Sequence, residues 1–530
     1  MNTKKILLTL LALSGVGVDA RAQLINSNPP TTDSLKNVKS LQDGSRIGRT
    51  SGSKAPEFQE LYDYEQDDKS LANAMFPYQQ LLHRAYVIML AEQRILSREE
   101  AREILGGLRK VDQLAQHDPA LRLYLPYEGA LIKEIGSVGG KMHIGRSRND
   151  LDNTTNRMFL RDRLLSIIQS IIGFREALLD KAADNLETVM VVYTHRKEAQ
   201  PITLAHYLTA IDEALGKSLD RYIDLYGRID QSPLGSGASG GSSWPLDRKR
   251  VAELLGFQEL VTNTIEGVAG WDHIAEFAAD NAIYMTNVSR LASEIQLWSS
   301  DEYRMVELDN SFAGISSMMP QKKNPDALER SRKSSALTMG QLVSILTSLN
   351  TIEYQHSGVR YPLDPRSLEA VLAATHAMTG LVRTLHLNKD VMLRYAKQNF
   401  STMTDLADLL VRAHGLDFRS AHELIALVVN EALAVGKTAD QISVNDIDEL
   451  ARKYLNRSLS LTSDELQTAL DPLKSINRKT GTGHPSPSSV KSMIDAARKD
   501  IHKKRAWVMT KTDFLQQTAS RLNELIRAYK

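Results

Sequence analysis

The sequence predicts an all-α protein. Apolar residues recur at three-to-four spacing over long stretches, no stretch alternates convincingly as a strand would, and no internal repeat organises the 530 residues. A chain this long exceeds one ordinary core, so two or three domains or one elongated helical body are expected. The net charge of +1 suggests neither nucleic acid nor an anionic membrane as partner. Any selectivity for anions must come from local sites. With no cysteine in the chain, disulfides and thiol chemistry are excluded.

The first segment has Lys4-Lys5, an almost wholly apolar run from Ile6 to Val18, and then Ala20-Arg21-Ala22. That order predicts a secretory leader over residues 1–22, cleavage after Ala22, and an exported, periplasmic protein. The apolar run is short for a membrane span. Residues 23–56 are rich in Asn, Pro, Thr, Ser and Gly and read as a flexible arm. A helical N-terminal domain is expected over 57–150. There Leu81-Leu82, Ala85-Tyr86 and Met89-Leu90 keep helical spacing, and Ser97-Arg98-Glu99-Glu100 is a capping box for a second helix running through Leu108.

Gly139 to Asp150 closes that domain with a polar cluster. Arg148 offers a planar fork that grips a carboxylate, and Ser147 and Asn149 add neutral donors. A solvated basic turn is the alternative. A central helical bundle is expected over 151–400. The helix that opens at Asp150 carries Leu160, Leu164, Ile168, Ile171, Phe174 and Leu178, widened by Leu165, Ile167 and Ile172, an apolar face broad enough for a bundle interior. Tyr193 to Pro201 interrupts the helices. His195 has the chemistry of a proton shuttle and Thr194 can hydrogen-bond a substrate, although a lone histidine is more often structural. Pro201 is expected in the first turn of the next helix. Leu234 to Gly241 is dense in glycine without a preceding strand, which favours a close backbone approach over a phosphate cradle.

Between the helical stretches Phe277–Trp298 and Ala336–Ile352 lies Ile315 to Asp326. Here Ser316 and Ser317 stand beside Gln321, Lys322, Lys323 and Asn324, with Pro320 and Pro325 fixing the backbone. This reads as a shaped loop, the kind of segment that carries catalytic residues on a rigid scaffold. A C-terminal helical domain is expected over 401–530, ending in a charged helical tail.

These loops, in this order, resemble the argininosuccinate lyase branch of the fumarase/aspartase superfamily. The resemblance rests on Ser147-Arg148-Asn149-Asp150, Thr194-His195 and the run from Ser316 to Asp326. Pro233 to Gly237, Met403 to Asp408 and Ala469 to Pro472 support it. It spans about residues 60 to 500. It implies a three-part all-α architecture whose central long-helix bundles pack into a homotetramer, each active site drawing loops from three chains. It implies no cofactor or metal, no nucleic acid, and no membrane once the leader is removed.

The implied reaction is anti elimination from a substituted succinate, releasing fumarate, most simply argininosuccinate to arginine plus fumarate. By resemblance Ser316 and His195 transfer protons in an order left open, with Glu329 as the carboxylate partner of His195. Lys322 and Asn324 stabilise the developing charge, and Ser147, Arg148, Asn149, Thr194 and Gln321 bind the dicarboxylate substrate. The chain departs from the branch at Ile315, Lys197, Tyr124 and Trp271, which replace a glycine, a glutamine, a histidine and an arginine. It departs most after the loop. An ungapped match puts His356, Tyr361 and Asp364 where a tyrosine, a glutamine and a lysine hold the leaving group; a small shift brings in Tyr354 and Gln355. Two alternatives follow: an exported lyase for another N-substituted aspartate or aminopolycarboxylate, and a non-catalytic helical scaffold.

Overall fold

The computed structural model describes residues 55–67 and 70–529. The predicted leader, and the arm apart from its last two residues, lie outside them. The chain starts with helices α1 (Pro56–Asp67), α2 (Ser70–Glu92), α3 (Arg98–His117) and α4 (Tyr124–Ile135). The central elements are α5 (Arg148–Ala183), β1 (Val189–Thr194), β2 (Lys197–Thr203), α6 (Leu204–Ile229), β3 (Gln231–Ser232), α7 (Arg248–Leu254), β4 (Glu259–Leu260), α8 (Glu266–Ala269) and α9 (Asp272–Trp298). They continue with β5 (Val306–Glu307), β6 (Gly314–Ile315), β7 (Lys323–Asn324), α10 (Asp326–Asn350), α11 (Pro365–Thr384), β8 (His386–Leu387) and α12 (Lys389–Gln398). Helices α13 (Met403–His414), α14 (Phe418–Ala434), α15 (Val444–Leu455), α16 (Ser463–Leu470), α17 (Pro472–Arg478) and α18 (Pro487–Arg527) complete the chain. The protein is all-α, with strands only in two-stranded pairs among the described residues.

Helix starts follow local chemistry. Ser97 Oγ accepts from the Glu100 amide while the Glu100 carboxylate accepts from the Ser97 amide, the expected capping box. The helix it opens runs past Leu108 to His117. Gly106-Gly107 does not end it, because Gly107 lets Leu131 and Ile135 of α4 pack directly on the α3 backbone.

The largest apolar cluster joins α5, α6, α9, α10 and α11 with one side of α18. A second gathers α2, α3, α4 and α7 with the end of α18, and a third holds α13 to α16. Helix α5 lies at the centre and buries most of its surface. Its buried arginines find partners in the protein rather than in solvent, two of them at helix ends and the third on carboxylates. Arg157 donates to the Arg228 and Ile229 carbonyls at the end of α6. Arg161 pairs with Asp230 and donates to the Leu255 and Gly256 carbonyls after α7. Arg175 grips Asp212 of α6 through two bonds and reaches Asp500 of α18. Carbonyls at helix C-termini lack intrahelical partners and carry partial negative charge, so a buried guanidinium is satisfied there.

One expectation fails. Val189 to Thr203 forms the antiparallel hairpin β1–β2, and Pro201 stands in β2 opposite Val191 instead of starting α6. A two-stranded pair has only edge strands, which tolerate the missing N–H of proline. Thr203 caps α6, accepting from the His206 amide.

Candidate active site

Three polar segments are held on three different supports. The first is the start of α5. Ser147 is its N-cap, and Asp150 returns a bond to the Ser147 amide, so Arg148 and Asn149 lie in the first turn. The other Asp150 oxygen accepts from the Gly235 and Gly237 amides, each at 2.9 Å. The glycine-rich loop thus makes a close backbone approach, locking onto the start of α5. Beneath this turn Arg146 is 6% exposed. Its guanidinium lies over the Tyr86 ring at 4.8 Å and donates to His83 Nδ1 at 3.0 Å. Tyr124, at the position of the family's histidine, hydrogen-bonds His143 Nδ1. Burial, then the charges of Arg146 and Arg148, pull His143 down to about 4. Arg148 itself is exposed.

The second segment is the β1–β2 hairpin. Thr194 pairs with Lys197, and His195 and Arg196 form its tip with φ of 54° and 58°. Two left-handed residues in a row suit a hairpin's twist but strain non-glycine side chains. The hairpin is braced from behind: Glu198 accepts from Asn399 Nδ2 at 2.8 Å, and the Tyr193 ring stands edge-on to Tyr303. Both Thr194 and His195 are exposed.

The third segment is the loop between β6 and β7. Gly314 pairs with Asn324 and Ile315 with Lys323, making a small hairpin whose tip spans residues 316–322. Asn324 Nδ2 donates to the Ile315 carbonyl. Gly314 has no Cβ, and one built there would lie 2.4 Å from the Asp326 carboxyl, so the loop base seats tightly on the first turn of α10. Ser316 Oγ accepts from the Met319 amide at 3.0 Å and the Met318 amide at 3.4 Å. Paired backbone N–H groups favour negative charge on that oxygen. Lys323 is held by Glu307, whereas Lys322 has no side-chain partner among the described residues. Gln321 is exposed beside it, and the tip is apolar, Ile315 being 92% and Met318 86% exposed.

No hydrogen bond or ion pair among the described residues joins His195 to Ser316 or to Glu329. Glu329 instead accepts from Gln296, which is also held by Arg332.

The segment after α10 holds the leaving-group positions named from the sequence and adds Arg360, which the sequence did not single out. Arg360 is buried with its guanidinium 4.9 Å from the Trp271 ring centre, and it donates to the Gln355 carbonyl. Tyr354 hydrogen-bonds Glu266 at the start of α8. Partial burial, then the charges of Arg360 and Arg148, lower the His356 pKa. Asn153 Nδ2 of α5 donates to the Gly267 carbonyl of α8, which ties the start of α5 to the helix that Tyr354 bonds. Asp364 is consumed as the N-cap of α11 and also pairs with Arg366. The sequence signal for Arg360 was indirect: Trp271 replaces a family arginine, which leaves a ring for another guanidinium to cover. No group of three or more His, Asp or Glu side chains that could hold a metal ion occurs among the described residues.

Comparison with known proteins now gives this geometry its relatives. A lyase family model matches residues 62–340, and an argininosuccinate lyase C-terminal model matches 400–477. Argininosuccinate lyase of Methanococcoides burtonii is 36% identical over 79% of this chain and 86% of its own. That of Methanocaldococcus jannaschii is 36% identical over 84% and 92%. The crystal structure of EDDS lyase in complex with formate is 57% identical over 92% of this chain and 98% of that one, with a TM-score of 0.86. Fumarate lyase from Mesorhizobium sp. BNC1 shares the fold at 17% identity and a TM-score of 0.65, over 85% of this chain and all of that one.

Proposed function

We propose that this chain, which belongs to the argininosuccinate lyase branch of the fumarase/aspartase superfamily, releases fumarate from an N-substituted aspartate other than argininosuccinate. It is a carbon–nitrogen lyase by family. The observation that carries the substrate reading is the leaving-group segment. His356, Tyr361 and Asp364 stand where the family has a tyrosine, a glutamine and a lysine; Asp364 is spent on capping α11, and Tyr354, which a small shift would bring in, is bonded to Glu266. The 57% identity to EDDS lyase, against 36% to the argininosuccinate lyases, supports the same reading, since EDDS is an N-substituted aspartate.

In the proposed reaction Ser316 takes the Cβ proton as an alkoxide. The Met318 and Met319 amides and the unpaired Lys322 ammonium offset the cost of that charge. Electrons move into the Cα–Cβ bond, the Cα–N bond breaks, and His195 delivers a proton to the departing nitrogen. Arg148, Asn149 and Ser147 hold one carboxylate; Lys322, Asn324 and Gln321 meet the other, on which charge builds; and Thr194 orients the substrate beside His195. Glu329 of a neighbouring copy would restore a carboxylate to His195. The proposal includes assembly of four copies, each site drawing its three segments from different chains. Export through the leader at 1–22 belongs to the proposal.

The test follows fumarate by its ultraviolet absorbance with EDDS, argininosuccinate and aspartate. EDDS should be turned over with kcat/KM at least about 100-fold above argininosuccinate, the range that unpaired buried polar groups produce. Equal efficiency on argininosuccinate overturns the substrate reading. Fumarate from none of the three overturns the lyase proposal.

A further inference from the structure

The most informative unexplained group lies in the segment that departs from the family. Arg360 is 9% exposed, yet no carboxylate among the described residues pairs with it. Its Nε has no acceptor, and neither does the indole Nε1 of Trp271 beneath it. Burial alone lowers its pKa, to about 10, with no acidic group acting to raise it. A buried guanidinium is ordinarily neutralised or capped, as Arg161 and Arg175 are by Asp230 and Asp212. Arg360 has one carbonyl and one aromatic face instead. Stacking on tryptophan holds the fork in one plane without consuming its donors. Tyr354 bonds Glu266 of α8, and the neighbouring Gly267 carbonyl accepts from Asn153 Nδ2 of α5, so the Arg360 segment reaches the start of α5, where Arg148 stands.

We propose that Arg360, held flat on Trp271, is a specificity-determining residue that receives a carboxylate carried by the leaving amine. The assignment rests on the substrate reading above. Arg148 takes a carboxylate of the succinyl half, and Arg360 takes one beyond the scissile nitrogen. Two fixed cations then measure the spacing of negative charge across the Cα–N bond. A leaving group that is itself cationic, such as the guanidinium of argininosuccinate, would meet like charge there and be disfavoured.

The experiment compares EDDS, whose leaving amine bears carboxylates, with N-methylaspartate, whose leaving amine bears none. Fumarate release gives KM and kcat for each; if N-methylaspartate is not turned over, its inhibition constant against EDDS replaces its KM. Arg360→Met should lower the preference for EDDS over N-methylaspartate by about 10- to 100-fold, through KM, as loss of a charge-assisted bond predicts. Arg360→Lys should restore part of that preference, and Trp271→Phe, which keeps an aromatic face, should retain most of it. Thermal melts of the assembled enzymes identify a variant that is merely misfolded. If Arg360→Met weakens both ligands equally, or lowers kcat alone, the assignment is overturned while the lyase reading stands. If the unaltered enzyme releases no fumarate from EDDS, the assignment and the substrate reading fall together.

Discussion

Ser316 Oγ receives two backbone amides of its own loop, so removing the hydroxyl should erase chemistry without disturbing the fold. Ser316→Ala is expected to lower kcat by about 10²- to 10⁴-fold, the usual weight of a general base, and to leave the melting temperature unchanged. A steady-state assay beside a thermal melt decides; full activity would remove Ser316 from the mechanism. His143 makes a different prediction. Its folded pKa is near 4, below the unfolded value of about 6.5. Between those values the unfolded chain binds the proton at this histidine and the folded chain does not, so the contribution of His143 to stability falls as pH drops from about 6.5 to 4 and is flat above. His143→Gln should shallow that slope in urea unfolding series across the window; an unchanged slope would show that His143 is not the group. Residues such as Ser316 and Lys322 were legible because their loop concentrates its chemistry in nine consecutive positions. Arg360 was not, because its meaning depends on Trp271, far away in sequence, and on the absence of a carboxylate that only three dimensions reveal.

At the scale of elements, helices with a repeating apolar face announced themselves, and the two hairpins did not. Strand β1 is apolar on both sides near its start, and β2 contains Pro201, so neither alternates. Their pairing is fixed instead by the tip at His195–Arg196 and by the Glu198–Asn399 bond from behind. Because Arg196 sits at φ 58°, glycine should suit the position better. Arg196→Gly is expected to stabilise the fold by roughly 0.5–1 kcal/mol, whereas Arg196→Val should destabilise it by about 1–2 kcal/mol, measured from denaturant midpoints. The second hairpin depends on Gly314, against which the Asp326 carboxyl rests. Gly314→Ala must displace either the Asp326 carboxyl or the loop base that rests against it. Activity should fall about tenfold or more with little change in global stability, because a small misplacement of the reacting group is enough. A normal kcat in that variant would show that the base of the loop does not position Ser316.

At the scale of the whole molecule, the proposed site calls for more than one chain. Leu337, Met339, Val343 and Leu346 along α10 are exposed, and Gly340, Ser344 and Thr347 lie among them. An apolar stripe with small residues on a long helix invites another helix to cover it. The same helix begins just after the Ser316 loop and carries Glu329, so covering it with a second copy would bring a foreign hairpin toward the loop. On the proposed shared site, His195 and Glu329 would meet between copies, and such a pair leaves no mark on one copy's contacts. If each site takes Ser316 and His195 from different chains, two inactive variants can repair each other. Ser316→Ala and His195→Asn should each be nearly inactive alone. Denatured together in equal amounts and refolded, they should recover up to roughly a quarter of full activity, the chance that both positions of a site are drawn from intact chains. Sites built within one chain could never recover activity this way. A mixture that stays as inactive as its parents, while running as a tetramer on sizing, would show that both residues serve the same chain's site.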